Sequence, residues 1–187
     1  MTLSLARLGL MGGVESGKLQ HIETKTASDT AAFDFTSLGT HKAHLLTLDD
    51  FQCDTNTTRY VFMRVSTDGG SNFKSDSIYS RSWQRVQTNG SNVNQIASLA
   101  ESAMTNFGSI DNDESTLSSK IYIYNITSAT ARTAVTFQSW NPVGSYMYYG
   151  MFMVNVTEAH NAFRIFPNSG SFATGRAKLY GISSWVL

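Results

Sequence analysis

Charge, proline, cysteine and long apolar runs are all scarce in this chain, and each shortage excludes something. Lys, Arg, Asp and Glu make up 15% of the 187 residues, 14 basic against 14 acidic, so the formal net charge is zero. Phosphate binding is driven by clustered Lys and Arg that release counterions, so this balance argues against nucleic acid as a partner. Cys53 is the single cysteine, which leaves no intrachain disulfide and no cysteine-cluster zinc site, and leaves the redox compartment open. No run approaches the roughly 20 apolar residues that a membrane-spanning helix needs, so no membrane partner is expected. The opening residues are mildly apolar, but they lack a basic n-region and Arg7 interrupts them, so they do not read as a signal peptide. Sequons at Asn56, Asn89, Asn125 and Asn155 would matter only on a secretory route, which nothing in the sequence supports.

Ser, Thr, Asn and Tyr fill the place of the missing charge, a composition suited to β-sheets with polar, uncharged outer faces. Near-zero net charge also favours association over solitary existence. The length fits one domain, able to bury roughly 70% of its unfolded surface. Residues 1–17 are punctuated by glycine and have no steady period. They read as an extended arm ahead of a domain over 18–187. Such an arm either frays or docks on a neighbouring subunit through Leu3, Leu5, Leu8, Leu10 and Met11.

Within the domain the apolar period is two. Val61, Met63 and Val65 alternate with Tyr60, Phe62 and Arg64, and Asp68, Gly69 and Gly70 then supply residues that tolerate positive φ in a structural turn. This predicts a hairpin with a long loop joining residues 59–66 to a strand over 77–88. Further strands are expected over 18–26 (weak and edge-like), 30–35, 41–51, 119–127, 132–139, 162–166 and 175–186. Residues 146–154 are apolar on both faces. Tyr146, Tyr148, Tyr149, Met151 and Met153 therefore belong to a central core strand or to an oligomer interface. Residues 94–107 are ambiguous: Ile96, Leu99, Ala100, Ala103, Met104 and Phe107 fit the helical template, while a short strand over 95–99 fits the neighbourhood. Short strands separated by regular turns indicate an all-β antiparallel sandwich or jelly roll.

Candidate chemistry is thin. Residues 66–73, Ser-Thr-Asp-Gly-Gly-Ser-Asn-Phe, are similar to the Asp-box motif of sialidase propellers, but the motif occurs once and the chain is too short for the repeated blades. His41 and His44 stand three apart, which on a strand sends them to opposite faces, so both are expected at the surface or in a loop, and no metal site is expected. Asp111, Asn112, Asp113 and Glu114 lack calcium-loop spacing. No pair of carboxylates or nucleophile elbow stands out, so neither a catalytic residue nor a cofactor is expected. Trp83, Trp140 and Tyr149, if exposed, could stack on sugar rings as a glycan contact.

Taken in order, residues 64–73, 120–125 (Lys-Ile-Tyr-Ile-Tyr-Asn), 136–140 (Thr-Phe-Gln-Ser-Trp), 163–170 and 177–182 resemble a group of small jelly-roll virion proteins of tailed bacteriophages. The resemblance runs from Lys18 to Ile182. It implies a non-enzymatic structural component of the virion, assembled in the bacterial cytoplasm and favouring a strand over residues 95–99. Capsid decoration or cement proteins, fibre modules and receptor-binding tips all belong to this type. The leading expectation is a decoration protein that forms a symmetric homo-oligomer, a trimer, and contacts the major capsid protein. The alternative is a tail component that recognises cell-surface glycan.

Overall fold

The computed structural model describes residues 18–88, 93–112, 116–141 and 145–182. The proposed arm contacts Leu3, Leu5, Leu8, Leu10 and Met11 lie outside the described residues, as do Asp113 and Glu114.

Twelve strands make up the described fold: β1 (Leu19–Thr26), β2 (Phe33–Phe35), β3 (Ala43–Cys53), β4 (Arg59–Ser66), β5 (Tyr79–Gln87), β6 (Val93–Glu101), β7 (Met104–Ile110), β8 (Leu117–Tyr124), β9 (Ala134–Asn141), β10 (Tyr146–Val154), β11 (Ala162–Pro167) and β12 (Phe172–Ile182). They form two antiparallel sheets packed as a sandwich. The larger has eight strands in the order β1-β12-β3-β8-β9-β10-β5-β6, and the smaller has four, β2-β11-β4-β7. Strands close in sequence pair along β8-β9-β10, whereas β12 inserts between β1 and β3, so early and late segments of the chain interleave.

Alternation places the core. In β8 the residues Leu117, Ser119, Ile121 and Ile123 turn inward, and in β4 Val61, Met63 and Val65 do the same from the opposite sheet. Two aromatic clusters tie the layers together. Phe33 of the small sheet meets Phe51 and Phe172 of the large one at centroid distances of 5.9 and 5.8 Å. Phe107 on β7 meets Phe137 and Phe152 at 5.0 and 4.8 Å. Some buried polar groups are matched across strands: the Ser119 hydroxyl donates to Ser139 Oγ at 2.7 Å. Asn141 Nδ2 donates to Ser109 Oγ at 2.8 Å, and Ser109 Oγ lies 3.2 Å from the Tyr148 hydroxyl. A buried polar group left unmatched costs about 1–3 kcal/mol, so such pairs also fix the strand registers.

One sequence expectation is corrected and one ambiguity is resolved. β4 and β5 are not a hairpin, because they lie in different sheets. The residues between them cross from one layer to the other, a span of about 10 Å. The buried Tyr79 hydroxyl anchors the crossing by accepting the Val65 N–H (3.2 Å) and donating to the Lys74 carbonyl (2.9 Å). Burial pushes its pKa up to about 12. Residues 94–107, left open between a helix and a short strand over 95–99, belong to strands: β6 contains 95–99, and β7 follows. Ile96 packs on the core from the large sheet, while Met104 and Phe107 belong to the small one, so their helical spacing arises from a second crossover around Ser102. Leu99, which the helical template placed on the apolar face, is 82% exposed.

The turn at Asp68, Gly69 and Gly70 is built from short-range bonds. Ser66 Oγ accepts the N–H groups of Asp68 (3.2 Å) and Gly70 (3.1 Å) and donates to Asp68 Oδ1 at 2.7 Å. Asp68 also accepts from the Asn72 backbone N–H (2.9 Å) and side-chain amide (2.7 Å). Gly69 and Gly70 have φ of +74° and +92°, a region costly for any residue with a Cβ. Asn161 fastens the loop to β11, its Oδ1 accepting the Gly69 N–H at 2.8 Å. The Asn72 backbone N–H, then the Ser66 hydroxyl and the Asn72 side chain, hold the Asp68 carboxyl down at about pKa 2. A lowered carboxyl pKa stabilises above the ordinary value of 3.8, and this contribution is lost as pH falls towards 2. Asp68→Ala is expected to leave the far-UV circular dichroism unchanged while speeding proteolytic cleavage within residues 67–73. Equal cleavage rates would refute this account of the loop.

Candidate functional site

The outer face of the eight-stranded sheet gathers most of the exposed large apolar side chains. β10 alternates: Tyr148, Phe152 and Val154 are buried, while Met147, Tyr149 and Met151 face outward. On β9 the outward positions include Trp140 and Gln138, and on β8 they are Lys120, Tyr122 and Tyr124. Cross-strand register sets Trp140 beside Met147, Gln138 beside Tyr149, and Thr136 between Tyr122 and Met151. The Tyr122 and Tyr124 rings lie nearly parallel, 6.4 Å apart at 15°. Trp140 is 42% exposed and Met151 45%, so these side chains lie on the sheet with one side open to water.

Two shallow depressions flank this stripe. One, of about 250 Å³, lies beside Trp140 and Met147 and is bordered by Asp49, Ser118, Lys120 and Gln138. The other, of about 670 Å³, is bordered by Tyr149, Met151, Gln84 and Gln95, with Ser82 and Ala97 as its low floor. Tyr149 is held in place there by donating its hydroxyl to Gln84 Oε1 at 2.7 Å.

Of the three residues expected to contact glycan, the structure brings Trp140 and Tyr149 to this face and removes Trp83. Trp83 is 5% exposed and packs inward against Tyr148, at a centroid distance of 6.2 Å. The alternation of β5 turns Tyr79 and Trp83 into the core, so Trp83 has no open ring face for a sugar. Of the β10 residues expected in a core strand or an interface, Tyr148 is core and Tyr149 and Met151 are exposed. Tyr146 and Met153 are half-buried, and the Arg85 guanidinium lies 4.4 Å over the Tyr146 ring. β10 itself runs between β9 and β5 in the middle of the sheet.

Both buried histidines escaped the sequence reading. His44, expected at the surface or in a loop, is fully buried, its Nε2 donating to the Leu38 carbonyl at 2.7 Å. Its neighbours Leu45 and Leu46 are buried too, a run apolar on both faces that could have flagged it. His160 is equally buried, with Nδ1 3.0 Å from Thr133 Oγ1 and Nε2 3.3 Å from Glu158. Burial lowers both pKa values below 6.5, partly opposed at His44 by the Leu38 carbonyl and at His160 by Glu158. A base with a lowered folded pKa stabilises above its unfolded pKa, and that stability is lost as pH falls from there through the folded value. The urea midpoint should therefore fall between pH 7.5 and 5, with a shallower fall in His160→Gln. Parallel pH profiles for the two proteins would contradict this.

Among the described residues no group of three or more His, Cys, Asp or Glu is placed to hold a metal ion. Cys53 is buried, its thiol donating to the carbonyls of Thr55 (3.2 Å) and Thr57 (3.8 Å). No protein-family model matches the chain, and a search of curated proteins found no match. The arrangement of the outer face is one that binds by area. Flat aromatic and thioether groups are set mainly among Ser, Thr and Gln, with Lys120 and Asp49 beside Trp140, an apolar patch with a polar border as in protein interfaces.

Proposed function

We propose that this protein is a non-enzymatic structural protein of a bacteriophage virion, a sandwich of jelly-roll type that decorates the capsid as a symmetric homo-oligomer. The observation that carries the reading is the outer-face stripe of Tyr122, Tyr124, Trp140, Met147, Tyr149 and Met151 on three adjacent strands. A large exposed patch of this kind on a chain without net charge suits a permanent flat contact with another protein. The nested pairing of β1 with β12 and of β2 with β11 supports a jelly-roll winding, in which the two ends of a long hairpin fold together. Quantitative mass spectrometry of purified particles tests the assignment: several hundred copies support decoration, and a handful or none refute it. The joint variant Trp140→Ala with Met147→Ala should bind stripped particles at least tenfold more weakly at unchanged thermal stability.

A second reading is favoured by the depression beside Trp140, where an open indole adjoins the polar groups of Lys120, Asp49 and Gln138. Aromatic platforms ringed by hydrogen-bonding groups suit sugars. In this reading the protein is a tail-borne module that recognises surface glycan through Trp140 and Tyr149. Saturable glycan-array binding, lost in Trp140→Ala with the fold retained, would favour recognition over decoration.

A further inference from the structure

Two sheets have four edge strands, and three of the four are protected against pairing with another chain. β1 carries the ion pair Glu23–Lys25 (2.6 Å), and its register shifts between His21 and Glu23. β2 has only three residues. β7 is irregular opposite Tyr60 and Phe62, with φ of +72° at Asn106 and +143° at Gly108. β6 differs. It contains no charged residue before Glu101 and no proline, and it follows β5 in unbroken register from Val93↔Val86 to Ser98↔Arg81. Among the described residues no strand lies on its free side, where alternate residues turn their N–H and C=O groups outward. Leu99, just past the regular run, is the most exposed of the large apolar residues.

The geometry points to β6 as a strand-docking edge whose occupant is β6 of a second copy of this chain, paired antiparallel about a two-fold axis. Three observations select a second copy. A two-fold axis sets a strand against an identical strand, each residue facing the one at the mirror position about the axis, so a strand rich in charge of one sign would repel its copy. β6 is uncharged over the pairing run, and the whole chain carries no net charge to keep two copies apart. An axis normal to the sheet keeps outer faces together and must pass through a residue position. Centred on Ile96, it sets Gln95 opposite Ala97 and Asn94 opposite Ser98, all of them compatible pairs. It also carries Leu99 over the partner strand, out of water. Such a contact is isologous and closes at two copies, in place of the threefold assembly that the sequence resemblance implies. The inference goes beyond the proposed function and can be tested on the purified chain with no particle present.

Sedimentation velocity of the full chain, at a concentration on the order of 100 µM, is expected to show a species of twice the 20.6 kDa chain mass. Gln95 and Ala97 are exposed, so both accept substitution without disturbing the core. Gln95→Lys with Ala97→Lys sets lysine against lysine in both symmetric pairs and should weaken association at least tenfold. Gln95→Lys with Ala97→Glu sets lysine against glutamate in the same register and should restore it. A monomer at that concentration, or a dimer insensitive to the double lysine variant, overturns the proposal, as does failure of the lysine–glutamate swap to restore pairing. Deleting residues 1–17 should leave the dimer intact. If deletion abolishes it, the arm is the occupant of the edge and the second-copy assignment is wrong.

Discussion

Phe107→Ala is expected to destabilise the fold by about 3–5 kcal/mol, the usual cost of emptying a large buried aromatic site. Phe107 is the one small-sheet member of its aromatic cluster; Phe137 and Phe152, the other two, stack on each other at 5.4 Å within the large sheet. Removing its ring therefore opens a hole between the layers that neither sheet can fill alone, since each is held by its own ladder. For a domain of this size each kcal/mol moves the midpoint by roughly 2–4 °C, so thermal unfolding should shift down by roughly 6–20 °C. A shift below about 3 °C would mean that the sheets close over the gap and that Phe107 is not the bridge described.

Gly150→Ala is the second large effect, and its cause is the opposite one. Gly150 sits on β10 between Phe137 and Trp83 in the cross-strand register. A Cβ there would lie 2.5 Å from the Ser82 carbonyl oxygen, 2.5 Å from Trp83 Cβ and 2.6 Å from Trp83 Cα. Two of these three contacts are with backbone, so relief requires β5 to move away from β10, which strains the ladder holding β5 and β6. Overpacking of this kind costs about 1–3 kcal/mol, and a rigid neighbour places the expected value at the upper end. Urea unfolding measures it. Because β6 hangs on β5, the variant should also lose amide-exchange protection across Tyr79–Gln87 and Val93–Glu101 before the rest of the sheet. Uniform protection in the variant would refute the local account.

Much of the architecture was legible in alternation alone. Val61, Met63 and Val65 announce β4, and the unbroken apolar character of residues 146–154 reports that β10 is flanked on both sides. What alternation cannot give is the sheet to which a strand belongs. Residues 59–66 and 77–88 read as hairpin partners because both are amphipathic and a strong turn lies between them, yet the turn's bonds lie within residues 66–72 or run to Asn161, and say nothing about where the next strand docks. The same blindness made residues 94–107 look helical: apolar residues destined for two different layers happened to fall three or four apart. On the candidate face, Trp140 and Tyr149 were found by residue type, and Trp83 was misplaced because type carries no information about face. His44 was missed because a single polar residue inside an apolar strand looks like surface until a buried acceptor such as the Leu38 carbonyl is seen, and His160 because it lies between β10 and β11, where no alternation marks a face.

The position of β12 between β1 and β3 has a consequence for the order in which the molecule can be made. β1 leaves the ribosome first among the twelve strands, but its only partner in the sheet is the last to be synthesised. Until β12 emerges, β1 has no partner in the sheet and one side of β3 stands open, so the large sheet cannot be completed before β12 has been made. Closure waits for contacts between the most distant parts of the sequence, the slowest kind to form. The charged pair and the bulge on β1 thus guard a strand that must wait, unpaired, until β12 has been made.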